Sequence, residues 1–138
     1  MSDLVVDTSL TLAWYLEDEQ NAYADAVLGA LADREAVVPP LWPYQVANGL
    51  CIAERRGRTT APRIQRILAL LEPLPIRVDL SAHERAHGEV LALARQEGLT
   101  CYDAAYLDLA MREGLPLATL DNQLRTAAAR VGVPEFQP

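Results

Sequence analysis

The feature that most constrains the fold of this chain is an alternation between very short apolar runs and longer segments with helical spacing. The short runs are rich in valine and leucine, which is typical of buried strands. Between them, apolar residues recur every three or four positions, which predicts amphipathic helices. We therefore predict strands at Leu4–Val6, Ala36–Val38, Ile76–Val78 and 115–119, with a short edge strand at 133–136.

Helix boundaries are indicated by capping patterns. Ser81 followed by Glu84, and Thr100 followed by Asp103, each have the spacing of a capping box that opens a helix. Glycine ends helices readily, and Gly114 is expected to end the helix that Thr100 opens. The predicted helices cover about 9–16, 20–32, 43–55, a segment ending near 71, 81–98, 100–112 and 122–130.

Strands separated by helices imply a parallel sheet covered on both faces. We predict a single α/β domain over residues 1–138, with three α/β/α layers, four to five strands and about seven helices. No apolar stretch is long enough to span a bilayer and no signal peptide is visible, so we expect a cytoplasmic protein. Cys51 and Cys101 lack metal-site spacing and are interpreted as reduced core residues.

Three aspartates lie where a parallel sheet binds its ligands or begins a helix. Asp7 and Asp121 follow predicted strands, and Asp103 lies in the first turn of a helix. Each could simply cap a helix. If folding gathers them, however, their mutual repulsion calls for a cation, and Mg²⁺ prefers oxygen ligands of this kind. Spacing alone leaves both explanations open.

Four sequence motifs decide between these explanations by resemblance to a family. VVDTS at 5–9, PPLWPYQVAN at 39–48, YDAAYL at 102–107 and LATLD at 117–121 resemble, in this order, the motifs of PIN domains. The second motif resembles the VapC branch, which consists of toxins from toxin–antitoxin systems. The resemblance extends over essentially the whole chain and implies the PIN fold.

The resemblance also implies an activity, a cofactor and partners. It implies an endoribonuclease that cleaves structured RNA with Mg²⁺ or Mn²⁺, forms a homodimer and is restrained by a cognate VapB-like antitoxin. Asp7, Asp103 and Asp121 would be metal ligands, directly or through water, and Thr119 would orient a carboxylate or a water. Thr8 and Asn48 could support the site, but ordinary capping and packing roles would explain these two residues equally well.

Gln45 departs from this pattern, because the family carries a glutamate at its position. An amide brings no charge to the site, so we expect weak or absent cleavage by this chain and activity in a Gln45→Glu variant. The residue is either an engineered change that silences a toxic enzyme or a natural one. The alternative function is therefore a catalytically silent PIN module that binds RNA or antitoxin.

Two further patterns compete for a functional interpretation. His83-Glu84-Arg85-Ala86-His87 matches the HExxH zinc motif, although the capping box already explains Glu84. A basic segment offers arginines that either contact RNA phosphates or are ordinary surface charges. The net charge of −7 argues against a surface that attracts nucleic acid in general. The candidate RNA-binding residues are Arg55, Arg56 and Arg58.

Overall fold

The computed structural model describes residues 1–138, except for the side chain of Ala82. The described chain contains one parallel sheet with the strand order β3-β2-β1-β4. Three of the predicted strands are confirmed at their full length. The strands are β1 Leu4–Val6, β2 Ala36–Val38, β3 Ile76–Val78 and β4 Leu117–Ala118.

The helices also follow the predicted order. The loop after the first helix contains a 3₁₀ turn at Glu17–Glu19, and the second helix begins later than predicted because Asn21 is its N-cap, accepting from the Ala24 amide. Gly114 ends the sixth helix in the left-handed conformation, with φ of 66°. The α-helices are α1 Thr8–Tyr15, α2 Ala22–Ala30, α3 Trp42–Arg55, α4 Ala61–Leu71, α5 Leu91–Glu97, α6 Cys101–Glu113 and α7 Asn122–Arg130.

Alternation along the strands builds a core on each side of the sheet. Val5 and Val37 face a cluster that contains residues of α5, α6 and α7. Leu4 and Val6 face the opposite cluster, which contains residues of α1 and α2. Successive side chains of a strand point to opposite faces, so strands of three residues suffice to anchor both layers. The predicted three-layer α/β/α class is confirmed.

The prediction of a capping box at Ser81 is wrong. Ser81 has helical φ and ψ rather than the extended backbone of an N-cap, and both its amide and its hydroxyl donate to Asp79. The helix predicted over 81–98 is instead a 3₁₀ segment at Ala82–Arg85 and a π segment at Ala86–Val90, followed by α5. The buried carboxylate of Asp79 thus accepts from the Ser81 amide, which Glu84 would have bound in a capping box.

Strand β4 is shorter than the strand predicted over 115–119, and the edge strand predicted over 133–136 is not formed. The Leu115 amide donates to Ala110 at the end of α6, which leaves only Leu117–Ala118 in the ladder. The region 133–136 is no strand, because Glu135 forms only an isolated bridge with Leu117. Pro134 has no amide hydrogen, and this limits the pairing.

Two other expectations can be compared with the described residues. Both cysteines are free, but they are not core residues: Cys51 is half-buried and Cys101 is exposed. No α-helix in the described part of the chain is long and apolar enough to cross a membrane.

Candidate active site

The sheet has its topological switch point between β1 and β4. From β1 the chain moves to β2 and β3 on one side, whereas β4 pairs on the other side. Ligands of open α/β sheets bind outside the carboxyl ends of the strands at such a point. Asp7 directly follows β1 and Thr119 directly follows β4, and Val6 and Ala118 are register partners. Both polar residues therefore lie at the predicted crevice.

Asp7 is buried, with only 3% of its surface exposed, and is held by three donors. Its Oδ2 accepts from the Thr119 hydroxyl at 2.6 Å, and its Oδ1 accepts from the Ser9 hydroxyl at 2.7 Å and the Leu10 amide at 3.1 Å. Burial raises the pKa of Asp7 from 3.8 to about 6, although these hydrogen bonds each act to lower it. The fold therefore keeps a carboxylate where burial penalises its charge.

The other two aspartates bring their charges to the same region. Burial raises the pKa of Asp103, and repulsion from Asp121 raises it further. The charge of Asp103 in turn contributes to the raised pKa of Asp7. Asp121 is also the N-cap of α7, accepting from Leu124 at 3.0 Å. Asp7 and Asp121 therefore each cap a helix and also interact electrostatically with Asp103.

The donor chemistry of this site fits a hard divalent cation. The aspartates offer oxygen ligands, and Mg²⁺ usually takes only one or two carboxylates while keeping several waters. Within the described residues, no three or more Asp, Glu, His or Cys side chains form a group that could hold a metal ion by themselves. The residues that could contribute ligands, directly or through water, are Asp7, Asp103 and Asp121.

Gln45 lies near the start of α3 and joins the site through two hydroxyl groups. Its Oε1 accepts from Tyr106 at 2.6 Å and from Thr8 at 2.8 Å. The Thr8 and Tyr106 oxygens are themselves 2.8 Å apart. Burial raises the pKa of the Tyr106 phenol, so this hydroxyl stays protonated near neutral pH. The amide oxygen of Gln45 is therefore held by at least one hydroxyl hydrogen from these neighbours.

The structure adds residues that the sequence interpretation did not select. Ser9 donates to Asp7 and accepts from the Leu120 amide at 3.1 Å, so it links β1 to the segment after β4. Tyr106 is 1% exposed and lies one helical turn after Asp103 on α6. Asn48 is exposed on α3, whereas Thr119 does orient a carboxylate.

The arginines of the basic segment differ in their surroundings. Arg55 and Arg56 are exposed at the end of α3. The guanidinium of Arg58 instead binds the carboxylates of Asp18 and Glu19. Arg58 would have to leave these partners before it could contact a phosphate.

The HExxH segment does not lie on a regular α-helix. His83 is in the 3₁₀ segment and His87 is in the π segment, and both are exposed. The zinc motif needs its two histidines on one face of an α-helix. His83 Nδ1 lies 2.9 Å from the Leu80 carbonyl oxygen, a local contact that explains its position. This geometry does not favour the zinc interpretation.

Comparison with known proteins gives agreement in both sequence and structure. The sequence matches the PIN domain family over residues 4–130. It is 32% identical over 121 residues to Ribonuclease VapC3 of Pyrobaculum aerophilum, a match covering 88% of this chain and 91% of that protein. The crystal structure of PAE2754 from Pyrobaculum aerophilum matches with a TM-score of 0.68 and 27% identity, over 91% of this chain and 86% of that chain.

A more distant structure shares the fold. VapC20 of Mycobacterium tuberculosis, described as a sarcin-ricin loop cleaving toxin, matches with a TM-score of 0.61 and 16% identity. The match covers 99% of this chain and 100% of that chain. At this level of identity the likeness concerns the arrangement of the elements alone.

Proposed function

This chain belongs to the PIN-domain family as a protein of the VapC type, and on that premise we propose that it is an endoribonuclease toxin dependent on a divalent cation. The observation that carries the proposal is the buried carboxylate of Asp7 at the switch point of the sheet, within range of the charge of Asp103. A buried charge is costly unless a partner compensates it. A cation would provide that compensation.

The proposed chemistry is hydrolysis of RNA phosphodiesters. Asp7, Asp103 and Asp121 would hold Mg²⁺ or Mn²⁺, which when bound lowers the pKa of a water and offsets the charge of the phosphate. Ser9 and Thr119 fix the rotamer of Asp7 through their hydroxyls. Such fixed geometry matters because small misplacements of reacting groups can reduce a rate by about 10²-fold.

The proposed partners follow from the family. The relative from Pyrobaculum aerophilum is named a ribonuclease, and VapC20 is described as cleaving the sarcin-ricin loop. We propose that this chain likewise acts on structured RNA, as a cytoplasmic homodimer that a cognate VapB-like antitoxin restrains. The exposed Arg55 and Arg56 are the proposed contacts with RNA phosphates.

Gln45 sets the level of activity that we expect. Replacing Gln45 by glutamate adds an anion beside the aspartates, so we expect the Gln45→Glu variant to cleave a structured RNA about 10²-fold faster than the unchanged chain. Cleavage is measured on a labelled stem-loop with Mn²⁺ and with Mg²⁺. Adding Asp103→Asn to Gln45→Glu should abolish the gain. Equal rates for the unchanged chain and Gln45→Glu at saturating cation would contradict the proposal.

A catalytically silent binding module is the second candidate, and the engagement of the Gln45 oxygen favours it. An oxygen that already accepts from Thr8 and Tyr106 is poorly available to a cation. In this case the unchanged chain binds the RNA by fluorescence anisotropy but leaves it uncut at every Mn²⁺ concentration. Binding without cleavage, together with activity in Gln45→Glu, identifies a silenced nuclease.

A further inference from the structure

Three side-chain oxygen atoms form a compact triangle that includes the hydroxyl of Thr8, the residue next to Asp7. Gln45 Oε1 is 2.6 Å from the Tyr106 hydroxyl and 2.8 Å from the Thr8 hydroxyl, and the two hydroxyls are 2.8 Å apart. Tyr106 comes from α6, Thr8 begins α1, and Gln45 is on α3. Three helices therefore meet at residue 45, and its side chain has little freedom to move.

The side-chain oxygen of Gln45, and not its amide nitrogen, lies against the two hydroxyls. Contacts of about 2.7–2.8 Å are usual for O–H···O bonds, whereas N–H···O bonds centre on about 2.9–3.0 Å. The two hydroxyls have two hydrogens for three O···O contacts, so Gln45 Oε1 accepts at least one of them, and the other hydrogen is shared among the remaining contacts. The amide nitrogen of Gln45 has no hydrogen-bond partner among the residues that the structure describes. The free polar end of this side chain is thus a donor.

We infer that Thr8 and Tyr106 form a hydroxyl clamp, which holds an acceptor oxygen of residue 45 and so determines which atom remains for a cation. This inference rests on the proposed function, because it concerns the same site. In the present chain the clamp takes up the only side-chain oxygen of Gln45 and leaves an NH₂ group, which cannot ligate a cation. Thr8 and Tyr106 are positioning residues that act through residue 45.

The clamp has opposite consequences for an amide and for a carboxylate. A glutamate has two oxygens, so the clamp can hold one and present the other in a fixed orientation. Removing the clamp should then weaken cation binding, since losing a partner that orients a ligand typically costs about 10- to 100-fold in metal affinity. For Gln45, removing the clamp frees the amide oxygen to turn toward the cation. Cation binding should then become stronger.

The test is a titration with Mn²⁺ alone, followed by isothermal calorimetry and by the EPR signal of free Mn²⁺. Four proteins are compared: the unchanged chain, Gln45→Glu, Thr8→Val/Tyr106→Phe, and the combination of all three substitutions. In the glutamate background we expect the clamp substitutions to weaken binding about 10-fold. In the glutamine background we expect them to strengthen binding by a measurable factor. This reversal of sign is the signature of the clamp.

The controls separate positioning from folding. Tyr44→Phe removes a hydroxyl from the residue next to Gln45, but this side chain is 80% exposed and should leave Mn²⁺ affinity unchanged in both backgrounds. Tyr106→Phe alone keeps the ring in the core and is the fallback if the double change lowers thermal stability. Thermal unfolding of each variant verifies that it is folded during the titration.

The outcomes distinguish the clamp from the proposed function. If Gln45→Glu binds Mn²⁺ no better than the unchanged chain, the cation site itself is contradicted. If Gln45→Glu binds better but the clamp substitutions have no effect, or act in the same direction in both backgrounds, the nuclease proposal stands and the clamp is rejected.

Discussion

Asp7 illustrates how one residue can have a structural role and a functional role at once. Its Oδ1 caps α1 by accepting from the Leu10 amide, which any Asp, Asn, Ser or Thr could do. Its charge, in contrast, is held in a buried position where the pKa rises to about 6. A cap does not require a charge, so the charge is the part of Asp7 that points to a cation.

This separation gives a prediction for Asp7→Asn. Asparagine is as good an N-cap as aspartate, so we expect the unfolding free energy to change by no more than about 1 kcal/mol. Mn²⁺ affinity in the Gln45→Glu background should fall by more than the roughly 10-fold that losing an orienting partner costs. Chemical denaturation and calorimetry measure the two quantities on the same protein. Unchanged Mn²⁺ affinity in a folded Asp7→Asn variant would assign Asp7 to capping alone.

At this scale the sequence predicted the acidic residues but not their supports. Asp7, Asp103 and Asp121 could be selected because carboxylates are rare at buried strand ends and need an explanation. Ser9 and Tyr106 could not, because a hydroxyl acquires its role only from the acceptor that folding brings within reach. Nothing local to Tyr106 distinguishes it from a core tyrosine.

Among the elements, the end of β3 and the helix α6 are tied together by a buried ion pair. Asp79 follows β3 and accepts from Arg112 of α6 at 2.6 Å. Burial acts to raise the pKa of Asp79, but hydrogen bonds from Arg112 and Ser81 outweigh it and hold the pKa below its ordinary value. This pair braces α6, the helix that carries Asp103 and Tyr106.

The pair predicts how stability depends on pH. Because the folded pKa of Asp79 lies below 3.8, ionised Asp79 stabilises the fold above that pH, and the contribution is lost as the pH falls through the folded pKa. Asp79→Asn should therefore lower the unfolding free energy at pH 7 by about 1.5–3 kcal/mol, the value of a hydrogen bond to a charged group. The difference from the unchanged chain should shrink as the pH is lowered below 3.8.

Urea denaturation between pH 7 and pH 3 measures this difference. Asp33→Asn is the matched control, because its side chain is 83% exposed and its ion pair with Arg34 is long, at 4.0 Å. That variant should stay close to the unchanged chain at every pH. A destabilisation by Asp79→Asn that is independent of pH would show that the pair contributes through shape rather than charge.

The same pair explains why one element was mispredicted. The pattern from Ser81 to Glu84 has the right residues for a capping box, but the Ser81 amide donates to Asp79 and the Ser81 backbone is helical rather than extended. At Thr100 no such competitor intervenes, and its hydroxyl accepts from the Asp103 amide at 3.1 Å as predicted. Local patterns therefore determine an element only where tertiary contacts leave its capping groups free.

At the scale of the whole molecule, the order of the strands brings the site residues together, and no local sequence pattern could predict that order. The alternation of strands with helices predicted a parallel sheet. The strand order β3-β2-β1-β4, however, is what places Asp7 beside Thr119. The alternation of apolar residues was sufficient for the layers, since it depends on the strand period alone. The pairing of β1 with β4 joins segments more than a hundred residues apart. Spacing along the chain could not predict this contact, whereas the family motifs indicated that Asp7 and Thr119 belong to one site.

The distribution of charge over the whole molecule raises the question of how an acidic chain holds RNA. The net charge is −7, and Arg58 is neutralised by Asp18 and Glu19. Arg55 and Arg56 remain exposed at the end of α3, ten and eleven positions after Gln45, which corresponds to about 15 Å along a helix. This distance is within the reach of an RNA strand that passes the aspartates.

We therefore predict that Arg55→Gln/Arg56→Gln weakens RNA binding and reduces its dependence on salt. Each lost phosphate contact lowers the slope of log affinity against log salt by about 0.7–0.9, so the double variant should lose about 1.4–1.8. Fluorescence anisotropy with EDTA present measures binding without cleavage. Arg95→Gln, at an exposed position on α5, should leave the slope unchanged, and Arg58→Gln should affect stability more than the slope. An identical slope for the double variant would leave Arg55 and Arg56 as ordinary surface charges, and the acidic chain would then need the cation itself to bring RNA to the site.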